Sequence, residues 1–185
     1  MRYLKSKLFL FFALVISFPV VSQSGGQYSP PVPVDEESGK IIYRDVVQEK
    51  GTPDSLYLRG INWINQNFAN PSDVTRVRDR ENSTIKGTAR MTLNRIDDAG
   101  VKVGAGMVEF TFTIECRPDR YRYTFFDFIY KQASRVPVEK WLDTSHPSWN
   151  PMMDDYLRQI DEHINKLIDS MVAGMKPKPK VVDEW

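Results

Sequence analysis

The 185-residue chain has one cysteine, Cys116, and two histidines, His146 and His163. A single cysteine excludes an intramolecular disulfide, so the fold must be held by its core alone. Two histidines leave little for a nucleophilic hydrolase, which needs Ser or Cys beside a His oriented by a carboxylate. His146 lies in the Pro-containing stretch Ser145-His146-Pro147, and His163 lies on a predicted helix. Cys116 falls on the apolar side of its strand, where a thiol acts as an inert small hydrophobe. The chain also lacks a phosphate loop and a dinucleotide fingerprint, since Gly104-Ala105-Gly106 is too short a match.

Metal ligands are equally sparse. Asp97-Asp98-Ala99-Gly100 lacks the alternating ligands and closing Glu of a calcium loop. Asp161-Glu162-His163 points three neighbours around a helix, so they cannot chelate one ion together. Glu109 and Glu115 share a strand face roughly 20 Å apart at about 3.3 Å per residue. That is too far for two carboxylates to act on one bond. The residues therefore assign no catalytic group, no metal and no cofactor. There is no internal repeat.

Only one long hydrophobic run is present, at the very start. Arg2, Lys5 and Lys7 precede an apolar stretch from Leu8 to Val21, and Ser22 follows. This is the pattern of a secretory signal peptide cleaved after Ser22. The run is shorter than the ~20 residues a membrane span needs, and it contains Pro19. No cysteine follows to carry a lipid. Export with one cysteine suits a bacterial periplasm better than a eukaryotic secretory route. The expected location is periplasmic or extracellular in a Gram-negative bacterium, with no integral membrane segment after cleavage.

Neither sign of charge dominates. Lys and Arg number 25 against 24 Asp and Glu, and the expected mature chain keeps 22 basic residues, a formal net of −2. Such a balance gives no general attraction to nucleic acid or anionic lipid. Nucleic acid is therefore excluded as a partner.

What is present is a readable order of elements. Gln23 to Gly39, rich in Ser, Gly and Pro, reads as a flexible tether, and 176–185 as a semi-extended tail. The fold occupies 40–175, enough to build a core without staples. Ile41 to Gln48 reads as a strand. Thr52-Pro53 starts a helix with Tyr57, Ile61, Ile64 and Phe68 on one side, ending near 68. A weaker strand at 74–80 precedes 84–95, where Ile85, Gly87, Ala89, Met91 and Leu93 alternate with polar residues. Val108, Phe110, Phe112, Ile114 and Cys116 alternate likewise over 107–117. Period two with one polar face predicts an antiparallel sheet, one side on the core and one toward water. Pro118-Asp119 turns the chain into an aromatic strand at 120–130, and the glycine-rich 96–106 reads as a mobile loop.

A last helix, 150–175, carries the stripe Tyr156, Ile160, Ile164, Leu167, Met171 and Met175. Asn150 is its expected cap and Pro151 its first helical residue. The order β-α-β-β-β-β-α predicts an α+β two-layer sandwich: a mostly antiparallel five-stranded sheet with two helices on one face.

Several residues carry a family resemblance over 41–130. They are Leu58, Trp63 and Phe68 on the first helix, then Arg78-Asp79-Arg80 and Ile85-Lys86-Gly87. Val108-Glu109-Phe110-Thr111, Arg120-Tyr121-Arg122-Tyr123 and Phe126-Asp127-Phe128 follow. In this order and spacing the chain resembles the bacterial domain-of-unknown-function family numbered 4468, with a TATA-binding-protein-like fold. The resemblance implies an exported envelope protein and no assigned activity, so it brings no functional residues.

The outward sheet face is the surface of interest. Lys86, Arg90, Glu109, Glu115, Arg117 and Arg122 fall on it with Thr88, Thr92, Thr111 and Thr113. The plain expectation is a solvated face whose opposite charges pair across strands. The sharper one is a docking platform centred on Arg90, Arg117, Arg122, Phe126 and Phe128. An aromatic strand exposed on one side wants a partner, unless the 133–149 connection lays Trp141 and Trp149 over it. The expected function is a non-enzymatic binding module of the cell envelope, taking a protein, a peptide or an envelope component. The alternatives are a hydrolase whose carboxylates converge only in the fold, and an apolar ligand held between Phe110, Phe112 and the 156–171 stripe.

Overall fold

The computed structural model describes residues 28–177. The expected signal segment 1–22, residues 23–27 of the expected tether and the tail beyond Pro177 lie outside the described residues.

Tyr43–Gln48 forms β1, and α1 follows at Pro53–Asn67. Thr52 starts the helix as its type predicts: its hydroxyl accepts from the Ser55 N–H at 3.2 Å, and Pro53 takes the first turn. The face that α1 buries is Leu56, Tyr57, Gly60, Trp63 and Ile64, while Ile61 and Phe68 are only half-buried. The helix is thus rotated from the expected stripe, because Trp63 carries more apolar area to the core than Ile61 does. A helical turn α2 (Pro71–Val74) leads into β2 (Thr75–Asp79), followed by β3 (Thr84–Ile96), β4 (Lys102–Arg117) and β5 (Arg120–Lys131).

Two departures from the expected order stand out. First, 102–106 is strand. Only 97–101 turns the chain, where the Asp97 carboxylate accepts from the Ala99 and Val101 N–H groups at 3.0 and 2.9 Å. The glycines serve geometry instead of mobility: Gly100 (φ +79°) sits in the turn, and Gly106 (φ +119°) borders a bulge that leaves Ala105 unpaired with β3. Second, a sixth strand, β6 (Arg135–Pro137), pairs with the end of β5. A 3₁₀ turn over Val138–Leu142 and the long α3 (Met152–Gly174) complete the chain. Asn150 Oδ1 accepts from the Met152 N–H at 3.1 Å, so the expected cap is used with Pro151 beside it.

The sheet is antiparallel in the order β1-β5-β4-β3-β2, with β6 also on β5. Helices α1 and α3 contact each other and lie over one face. Beneath them Phe110, Phe112, Ile114, Ile160 and Ile164 are fully buried. Phe112 packs edge-on against Trp63 (6.1 Å) and stacks on Phe68 (6.0 Å). Each such side chain contributes about 1.5–3 kcal/mol relative to exposure. Among the described residues, the larger cavities sit at the rims and none is lined by Phe110 or Phe112. The interlayer space expected for an apolar ligand is filled by side chains.

From Tyr28 onward, the expected tether lies against the domain. Tyr28 Oη donates to the Asp154 carboxylate, Val32 is buried, and Val34 bridges Ile41. Apolar residues between the prolines find the rim of the core, which composition alone concealed. The 133–149 connection closes the inner layer: Trp141 meets Tyr130 at 5.1 Å and Tyr156 at 5.7 Å, and Trp149 Nε1 donates to the Trp141 carbonyl. Among the described residues, no helix is long and apolar enough to cross a membrane.

Candidate functional site

Cross-strand register places Arg90 opposite Glu109, Glu115 opposite Arg122, and Arg117 opposite Arg120 on the outer face. Directly opposed residues share a face, so these pairs interact. Glu109 is the hub of the first group. Its side chain is only 13% exposed and accepts from Arg90 Nε (3.0 Å), Lys131 Nζ (2.5 Å) and Arg135 Nη2 (3.3 Å). Burial pushes the Glu109 carboxyl up, but the hydrogen bonds from Lys131 and Arg90 outweigh it and hold the group below its usual range. Each of the three cations has Glu109 as acceptor, the cross-strand pairing of the plain expectation, though three cations on one carboxylate leave the cluster net positive. Arg90 is therefore tied down.

The other end of the face is different. Arg122 reaches Glu115 through Nε at 2.8 Å and Nη2 at 2.7 Å. Arg117 and Arg120 face each other across the Pro118-Asp119 turn, and neither has a carboxylate among the described residues. Asp119 cannot serve them. It is held with φ +58°, and its carboxylate accepts from the Gly51 N–H at 3.0 Å, pinning the turn to the start of α1. Three guanidiniums thus gather around one carboxylate. Val46, 47% exposed, stands opposite Arg122 on β1 and supplies an apolar floor. A concavity of about 330 Å³ is lined by Val46, Glu115, Arg117, Arg120, Tyr121 and Arg122.

The aromatic residues divide. Between Thr111↔Phe126 and Glu109↔Ile129 the register slips by one, and Asp127 takes φ +55°. This bulge sets two residues of β5 against one of β4. Phe126 consequently points outward and is half-buried, whereas Phe128 turns into the core with no exposure. Phe128 packs 5.8 Å from Phe110 and 5.9 Å from Tyr43. The expectation that Phe128 belongs to the docking face is corrected: period two would keep it beside Phe126, and the bulge reverses it.

Of the five residues singled out from sequence, the structure brings Arg117 and Arg122 together and leaves Arg90 and Phe126 elsewhere on the same face. Arg120 and Val46 were missed. The signal for Arg120 was present in Arg117-Pro118-Asp119-Arg120, since a tight turn between two arginines must oppose them. Val46 required the β1–β5 pairing, which sequence does not give.

The remaining titratable groups are scattered. Burial alone pushes the Cys116 thiol up to about 12, and burial with the nearby Glu49 charge raises Tyr121. Ser148 Oγ lies 2.7 Å from His146 Nδ1 in the exposed connection, but Asp143 hydrogen-bonds Ser145 instead. Among the described residues no group of three potential metal ligands converges.

Residues 43–131, just under half of the chain, match the profile described as "Domain of unknown function (DUF4468) with TBP-like fold". Over these residues the chain is similar to that family. The match begins at β1 and ends with β5, so it holds the whole outer-face patch. No curated protein matches the chain. Among solved structures, a DUF4468 family protein from Bacteroides ovatus shares 13% identity at a TM-score of 0.64, over 81% of this chain and 93% of that one. A TBP-like protein from Parabacteroides distasonis shares 13% identity at a TM-score of 0.55, over 77% of this chain and 97% of that one. At such identity the likeness is one of fold. It extends beyond the DUF4468 span in both cases.

Proposed function

We propose that this chain is an exported, non-enzymatic binding module that docks an acidic protein partner on the outer face of its sheet. The observation that carries the reading is the opposed pair Arg117 and Arg120 beside Arg122. Like charges directly across two strands cost stability, and the fold receives nothing visible in return. A carboxylate-bearing partner would relieve that repulsion and form charge-assisted hydrogen bonds with the free guanidiniums. Val46 beside them offers apolar contact at the same spot. The scatter of titratable groups, with burial-shifted Cys116 and Tyr121 inside the core, also favours binding over catalysis.

Expression in a Gram-negative host should yield an envelope-located chain beginning at Gln23, seen by intact mass. Cross-linking in envelopes should then capture an acidic partner on the wild-type chain. Arg117→Glu with Arg120→Glu should abolish that product while leaving thermal unfolding unchanged, since the opposed pair stays like-charged. A product that survives the double reversal overturns the reading.

A further inference from the structure

The sheet is not closed along β3. Strand β2 pairs only with Thr84–Gly87, so the stretch from Thr88 to Ile96 has a neighbour on the β4 side alone. Near its end, the side-chain amide of Gln159 on α3 takes the place of a strand. Asn94 N donates to Gln159 Oε1 at 2.9 Å, and Gln159 Nε2 donates to the Asn94 carbonyl at 2.9 Å. That pair reveals which way the backbone faces. Strand period two carries the orientation of Asn94 to Thr92, Arg90 and Thr88, whose N–H and C=O groups point away from β4. Among the described residues no strand pairs with Arg90 or Thr92 on that side, whereas the bridge of Thr75 to Gly87 engages the Thr88 N–H. Gln159 caps the row at one end, and α2 stands at the other.

Beside the row runs a groove of about 440 Å³ between α2 and β3. Phe68, Val74 and Ala89 give it an apolar floor, and Arg76, Arg90 and Asp73 line it as well, two cations to one carboxylate. Arg76, Arg78 and Arg95 are exposed and have no ion-pair partner among the described residues. A second copy of this chain is a poor occupant. Antiparallel pairing of two β3 edges would bring Arg90 against Arg90, or its neighbours against each other, with like charges opposed.

We propose that the Thr88–Thr92 edge of β3 takes an extended acidic segment of a partner protein as an added antiparallel strand. The main-chain groups of Arg90 and Thr92 give the pairing, with the Thr88 carbonyl beside them, as in other strand-addition complexes. Alternate side chains of the segment face opposite sides. One set, acidic, lies on the outer face near Arg90; the other, small and apolar, enters the groove over Ala89. This edge shares no residue with the Arg117 patch, so either surface can fail its test without the other.

The probe is a peptide of alternating Glu and Val, with a Lys/Val peptide as control, added to the exported chain. Saturable binding of the acidic peptide, with slowed hydrogen exchange at the Arg90 and Thr92 amides, is the expected result. Thr92→Pro removes an outward N–H without touching the β4 ladder and should weaken binding at least about tenfold, roughly 1.4 kcal/mol. Should Thr92→Pro fold poorly, Arg76→Glu with Arg95→Glu must produce the same loss. Unchanged exchange at the two amides with peptide present overturns the proposal. So does equal binding of the Lys/Val peptide, or protection that grows with protein concentration alone, which would mark the edge as a self-association site.

Discussion

At the scale of single residues, two backbone positions decide most of what the side chains can do. Gly87 is the first. A Cβ there would lie 2.2 Å from the Phe112 ring, which is itself hemmed in by Trp63 and Phe68. The glycine lets the large ring cross the strand, so packing explains its place in the sheet better than turn chemistry does. Gly87→Ala should cost about 1–3 kcal/mol by overpacking, read as a lower urea midpoint with unchanged slope. Asp127 is the second. Its positive φ, sparsely populated for a non-glycine residue, makes the bulge that sends Phe126 out and Phe128 in. Nothing in Phe126-Asp127-Phe128 distinguishes a bulge from ordinary alternation, which is why the role of Phe128 was illegible from sequence.

Elements were far more legible than sites. The polar–apolar alternation of β3 and β4 repeats over many residues, so chance local exceptions could not hide it. The start of α1 was equally plain, since Thr52-Pro53 has few other uses ahead of an amphipathic run. Thr52→Ala should cost about 1 kcal/mol, because the Ser55 N–H would lose its acceptor; thermal unfolding of the purified chain measures it. Short elements escaped: β6 has three residues and α2 four, too few to show a period. The 102–106 stretch was hidden by glycines that in a loop mean mobility and in a hairpin mean a bulge. Charge patterning lies between these cases. The sequence put Arg90, Glu109, Glu115 and Arg122 on one face, but only register tells which cation meets which carboxylate.

For the whole molecule, the helix layer over the sheet half-buries one histidine. His163 on α3 packs edge-on against Phe110 at 6.1 Å. Burial lowers its pKa below the usual 6.5, and Lys166 lowers it further. The unfolded chain takes up a proton as pH falls through 6.5, while the folded chain resists it until its own lower pKa. His163 therefore contributes stability that is present above 6.5 and is lost as pH falls toward and through the folded value. The slope from this one group cannot exceed about 1.4 kcal/mol per pH unit. Urea unfolding should show a fall in stability between about pH 7 and about pH 5.5, and His163→Phe should flatten that fall.

The sequence by itself determined the α+β class, the two-layer arrangement, the inward set on β3 and β4 and the expectation of export. All of these rest on periods and compositions that are local along the chain. Tertiary structure alone decided the order of strands, the bulge beneath Phe128, the opposed arginines with Val46 near them across from Arg122, and the open stretch of β3. Each of these depends on how distant strands register against one another. A shift of one residue there reverses which face a side chain occupies, and no local pattern encodes it.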